Sequence, residues 1–215
     1  MTVLTARRAC WGLAAAGAAA AAWWLGDKAP YPYAQHALLD IPLPYLTCGR
    51  LDEVLRPQPG ERILEIGPGT GLQSLHVAPQ LGPSGRLDIV DIQPDMLDHV
   101  TRLAGERGIT NITATESDAR TLPFGQDVFD AVYLVTALGE IPEPDRVLRE
   151  AARVLTPSGR LVVGEFFDRH WIPFGRLHQL ADAARLHLEL RRGPTLAYLA
   201  RFQPCPRSWP ALIPS

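Results

Sequence analysis

Three glycines at alternate positions, Gly67, Gly69 and Gly71, follow directly on the apolar run Ile63-Leu-Glu-Ile66. A strand that turns through glycines into a helix N-terminus forms a cradle for an anion or a nucleotide. Glycine lets the backbone bend sharply and approach a ligand, and the first helical N–H groups have no partner within the helix. Glu65 lies inside the apolar run, where a carboxylate is costly unless something engages it. Asp91 stands near the end of the next apolar run, Leu87–Ile92, 20 positions past Gly71. An acid at the tip of a second parallel strand is placed to accept from the hydroxyls of a ribose. The dinucleotide pattern G-x-G-x-x-G fails here, because its third glycine position holds Leu72. That makes an NAD-dependent oxidoreductase the weaker reading of the same turn.

The elements that must hold these residues follow from hydrophobic periodicity. Strands are expected at Ile63–Ile66, Leu87–Val90, Asn111–Glu116, Val128–Val135 and Arg160–Phe167. Helices are expected at Leu72–Leu81, from Pro94 to about Glu106, at Pro144–Leu155 and at Phe174–Leu188, with a short one over Tyr45–Leu55. The end of the chain reads as an antiparallel hairpin, His187–Arg192 with Thr195–Phe202. Strands alternating with helices imply an α/β fold with a doubly wound, mostly parallel sheet and ligands at the strand C-termini. The expected organisation is an apolar helix over 1–28, a proline-rich linker and lid over 29–60, a nucleotide-binding domain over 61–204 and a tail over 205–215.

Five motifs in order, ILEIGPGTG (63–71), IVDIQPDML (89–97), ESDARTLPF (116–124), FDAVYL (129–134) and LREAARVLTPSGRLVVGEF (148–166), carry a family resemblance. The chain resembles the Rossmann-like S-adenosylmethionine-dependent methyltransferases, and more closely the small group related to ubiquinone and menaquinone biosynthesis. The resemblance implies S-adenosylmethionine as cofactor, cradled by Gly67, Gly69 and Gly71. It places Glu65 near the cofactor's amino acid portion, directly or through water. Asp91 would grip both ribose hydroxyls, and Ile92 would pack on the adenine. Asp118 would accept from the adenine amine, with the Ala119 N–H meeting a ring nitrogen, and Thr136 and Ala137 would border the transferable methyl. The group often carries an Ala-Gly-Phe turn near the C-terminus; Ala184-Arg-Leu186 departs from it.

Methyl transfer from a sulfonium needs alignment and exclusion of water more than a base. A base is required only where the acceptor must lose a proton. Glu140, Glu165 and His170 are the polar groups expected at the acceptor mouth, as substrate-orienting groups or bases. The six histidines, at 36, 76, 99, 170, 178 and 187, have no metal-ligand spacing, so no metal site is expected. Cys10, Cys48 and Cys205 form neither a metal cluster nor a disulfide framework, which favours a reducing compartment. A net charge of −2 argues against a nucleic-acid partner.

Residues 9–26 carry no charge, with Arg7 and Arg8 before them and Trp11, Trp23 and Trp24 near the ends of the run. The run reads as a membrane anchor; a cleaved signal and a soluble packing helix are the alternatives. Because the cofactor is made in the cytosol, the domain is expected on the cytoplasmic side, or else in the cytoplasm without an anchor. Tyr31, Tyr33, His36 and Tyr45 would either close over the cofactor or cover the sheet edge. With no inserted domain for a macromolecule, the expected acceptor is small and apolar or lipid-like. A non-catalytic cofactor-binding module is the alternative function.

Overall fold

The computed structural model describes residues 45–206. The apolar run 9–26, the linker prolines before residue 45, and Tyr31, Tyr33 and His36 therefore lie outside the described residues, as does the tail from 207. Among the described residues no helix is long and apolar enough to cross a membrane.

Seven strands form one sheet in the order β3-β2-β1-β4-β5-β7-β6. They are β1 (Arg62–Ile66), β2 (Arg86–Asp91), β3 (Ile112–Glu116), β4 (Phe129–Val135), β5 (Leu155–Phe166), β6 (Leu186–Arg192) and β7 (Ala197–Pro204). The first five are parallel, and β7 inserts antiparallel between β5 and β6. The expected doubly wound sheet with a C-terminal hairpin is thus present. Its helices are α1 (Cys48–Leu55), α2 (Ser74–Val77), α3 (Pro94–Glu106), α4 (Pro144–Val154) and α5 (Phe174–Ala183).

Strand side chains alternate between two buried faces, and each face has its own core. Ile63, Leu87, Ile89, Ala131 and Tyr133 pack with Leu51, Val54, Leu55, Val77, Leu97 and Val100 of the first three helices. Leu64, Ile66, Val132, Leu134, Leu161 and Val163 pack with Val147, Leu148, Ala151, Leu177 and Ala181 of α4 and α5. Covering both faces explains why β4 reads as an almost unbroken apolar run.

The elements depart from the sequence expectation at four places. The Leu72–Leu81 segment is α2 followed by a 3-10 turn over Ala78–Leu81; Pro79 lacks the N–H that an α-helix would need there. The short N-terminal helix begins at Cys48, where Thr47 caps it by accepting the Arg50 N–H. The strand β5 begins at Leu155, because Leu155 already pairs with Phe129; Thr156–Gly159 bulges out before Arg160 pairs with Ala131. Helix α5 ends at Ala183, not at Leu188. Arg185 turns left-handed at φ 59°, at the position where the resemblance leads one to expect glycine, and Leu186 is buried as the first residue of β6. Leu180, Ala184 and Leu188 suit a helical stripe, but pairing β6 with β7 wins over that local pattern.

Candidate active site

The cradle lies where β1 hands over to α2. Gly67, Gly69 and Gly71 all have positive φ, at 71°, 53° and 81°. Gly67 is pinned by donating its N–H to Val90 O at 2.8 Å. A Cβ on it would stand 2.6 Å from the Ala137 Cβ, so β4's end lies directly beneath the bend. Only glycine fits such a contact at a positive φ. The bend therefore has the bare backbone that a nucleoside cofactor requires, and Leu72 and Ile92, at 44% and 59% exposure, offer apolar surface beside it.

Glu65 is buried and its carboxylate accepts from the Ser74 hydroxyl, the first residue of α2. Tyr133, its cross-strand partner on β4, is fully buried on the same face. Burial pushes the Glu65 carboxyl up to about 7, with Asp91 adding to the rise and the Ser74 bond and the nearby Tyr133 hydroxyl opposing it. Asp91 sits at the tip of β2 and accepts the Gln93 N–H through Oδ1 at 2.9 Å. That bond fixes the carboxylate in the turn before α3 without capping the helix, and Oδ1 alone is engaged in it. Burial raises its pKa as well.

Asp118 and Ala119 follow β3. Arg120 grips the Asp118 carboxylate, with Nε donating to Oδ1 at 3.0 Å and Nη2 to Oδ2 at 2.6 Å, and holds its pKa down. The same guanidinium donates through Nη1 to Glu143 at 2.9 Å, just ahead of α4. A carboxylate offers about four acceptor sites, so an amine can share Asp118 with Arg120. Thr136 ends β4 with φ 55°, a strained conformation for a β-branched residue, held by its N–H donating to Gly164 O at 2.8 Å.

The acceptor-side groups also converge. Gly139 approaches the segment after β5 so closely that a Cβ there would stand 1.8 Å from the His170 carbonyl oxygen. Glu165, buried at the end of β5, accepts the Ile172 N–H at 3.2 Å, and its cross-strand partner Tyr198 donates its hydroxyl to Ile172 O at 2.7 Å. Burial, with Asp168 and Glu140 close by, pushes the Glu165 carboxyl up to about 8. A cavity of about 450 Å³ opens beside these groups, lined by Glu140, Ile141, His170, Trp171, Ile172 and Leu180 among others. Glu140 and His170 thus share one cavity wall, with Glu165 behind the segment that carries His170. Among the described residues no group of side chains could hold a metal.

Sequence reasoning missed Ser74, Tyr133, Arg120 and Tyr198. A buried tyrosine on β4 calls for a polar neighbour, but only the β1–β4 register shows that Glu65 is the residue facing it.

The two raised carboxyls make a stability prediction. In the unfolded chain both release their protons near 4.5, whereas folded they hold them to about 7 and about 8. Between those limits the folded state binds more protons, so stability falls as pH rises from 4.5 towards 8. Glu165→Gln, a neutral isostere, should flatten the upper part of that decline and melt above the parent at pH ~9. Parallel melting curves for the two proteins between pH ~6 and ~9 would refute the buried neutral carboxyl.

Residues 63–159 match the methyltransferase domain family. That match, together with the sheet order and the glycine bend, makes the chain similar to the class I, Rossmann-like S-adenosylmethionine-dependent methyltransferases. Among these it is similar to ubiquinone/menaquinone biosynthesis C-methyltransferases. It is 33% identical over 141 residues to the one from Vibrio parahaemolyticus, covering 65% of this chain and 53% of that protein. It is 38% identical over 112 residues to the one from Cellvibrio japonicus, covering 52% and 45%. The chain thus spans about half the length of these curated relatives. A methyltransferase from Aquifex aeolicus superposes with a TM-score of 0.69 at 16% identity, over 80% of this chain and 98% of that one. The [4+2]-cyclase SpnF superposes at 0.66 and 21% identity, over 74% and 80%. Both show the fold; the second shows that the fold also serves other chemistry.

Proposed function

We propose that the protein transfers a methyl group from S-adenosylmethionine to a small acceptor that is apolar or lipid-like. The observation that carries this is the turn after β4: Ala137 lies beneath the Gly67 bend while Gly139 abuts His170, so one short segment joins the cofactor cradle to the 450 Å³ cavity. Relatives named for ubiquinone and menaquinone C-methylation support an aromatic, quinol-like acceptor, with carbon as the methylated atom.

The cofactor supplies an electrophilic methyl on a good leaving group. The chain's part is to bind and orient. In this reading Gly67, Gly69 and Gly71 carry the amino acid and sugar portion, Asp91 accepts from the ribose hydroxyls and Ile92 covers the adenine. Asp118 and Ala119 meet the adenine edge, and Glu65 anchors the amino acid end. Thr136 and Ala137 border the methyl. Glu165, protonated through neutral pH, positions the segment around Ile172, which leaves Glu140 and His170 to orient the acceptor or take its proton. The nucleotide-binding domain, set at 61–204 from sequence, takes in α1 as well, since Leu51, Val54 and Leu55 belong to its core. The uncharged run 9–26 suits membrane association, and the cytosolic origin of the cofactor, against the bias of the flanking charges, favours the cytoplasmic side for the domain.

Calorimetry with S-adenosylmethionine and with NAD tests the cofactor; only the first should bind. Incubation with methyl-labelled cofactor and a panel of reduced quinones then tests the reaction, with label expected in the organic phase. Label found only in water-soluble products would remove the lipid-like acceptor while keeping methyl transfer. Cofactor that binds but is consumed with no acceptor would point to a binding module.

A further inference from the structure

The C-terminal end of the sheet carries an apolar surface that adjoins the cavity but extends beyond its lining to Phe167 and Leu196. Phe167 and Leu196 are large, apolar and 56% and 50% exposed, and they are tied together by the Phe167 N–H donating to Leu196 O at 2.8 Å. Trp171 extends the patch, its ring edge-to-face with Phe167 at 5.3 Å between centroids. Isolated exposed apolar side chains are ordinary, but here two adjoin and a third residue, Trp171, packs edge-on against one of them.

Cations frame this patch. The two segments that form it, 167–176 and 191–196, contain Arg169, Arg176, Arg191 and Arg192 against one carboxylate, Asp168, while the whole chain is −2. Asp168 accepts the His170 N–H at 2.8 Å. Arg191 lies over the Phe174 and Tyr198 rings and donates to Pro194 O at 3.0 Å, which stiffens the β6–β7 tip that presents Leu196. Arg192 and Arg176 are exposed. Exposed apolar side chains carried on arginine-rich segments suit the boundary of a bilayer whose headgroups are anionic, where each cation near the surface adds attraction.

We propose that the Phe167–Trp171 segment and the β6–β7 tip form a docking face for an anionic bilayer surface. Arg169 and Trp171 belong both to this face and to the cavity wall, so docking sets the cavity mouth against the lipid. The docking face is independent of the methyl-transfer reading, because binding to vesicles needs no acceptor.

The test uses the full chain with vesicles of phosphatidylcholine, with or without phosphatidylglycerol. Hydrogen exchange should slow in residues 167–171 and 193–197 with anionic vesicles and much less with neutral ones. Phe167→Ser with Leu196→Ser should weaken partition onto anionic vesicles about tenfold, at an unchanged melting temperature. Arg192→Gln should lessen the preference for anionic vesicles. Undiminished partition of a folded double variant would route attachment through residues 9–26 and overturn the proposal. So would exchange in both segments that is already slow without vesicles, which would mean that residues 1–44 cover this face. If the double variant does not fold, the exchange pattern of the parent decides alone.

Discussion

Gly67→Ala is expected to lower the melting temperature by roughly 10 °C and weaken S-adenosylmethionine binding by more than tenfold. Two separate strains add. An alanine at φ 71° gives up about 1–2 kcal/mol to the left-handed conformation. Its Cβ, 2.6 Å from the Ala137 Cβ, forces a rigid backbone-attached group aside, at about 1–3 kcal/mol more. Ala137 follows the strained Thr136, so β4's end has little freedom to retreat. The bend must open instead, and the cradle opens with it. Differential scanning calorimetry and titration with S-adenosylhomocysteine read the two effects separately. A variant that melts and binds like the parent would show that the bend is a simple turn.

Asp91→Ala should have the larger effect on affinity. Hydrogen bonds to a charged acceptor contribute about 1.5–3 kcal/mol each, and a ribose offers two donors, so a loss of about a hundredfold or more is expected. Stability should change by only about 1 kcal/mol, because the lost contact is a single turn hydrogen bond from the Gln93 N–H. Asp91→Asn separates the roles: one amide oxygen can still accept from Gln93, while the pair of acceptors for a diol is gone. Equal affinity in all three proteins would detach the sugar from Asp91 and with it the proposed cofactor pose.

What the sequence shows plainly is the cofactor half. Its residues sit at strand tips, and strand tips are marked by the change from an apolar run to glycine or acid, as at Ile66–Gly67 and Val90–Asp91. Such local signals need no knowledge of neighbours. The acceptor half is legible only as a set of names. Glu165 and His170 can be singled out as polar residues near a strand end, but their environment depends on which strand lies beside β5. The antiparallel insertion of β7 puts Tyr198 opposite Glu165, and no local pattern near residue 198 announces that register. Likewise α5 overran its true end on paper because Leu188 continues a helical stripe; the left-handed Arg185 that stops it has no glycine to reveal it.

Ile172 is held at both of its peptide groups, one by the carboxyl of Glu165 and one by the hydroxyl of Tyr198. All three residues lie beyond position 159, where the match to the shared methyltransferase domain stops. In the proposed reading the work is divided along the chain: the segment within 63–159 holds the nucleoside, while the segment after it shapes what is presented to it. Exchanging residues 160–206 between such proteins should carry acceptor preference along and leave the donor site as it was.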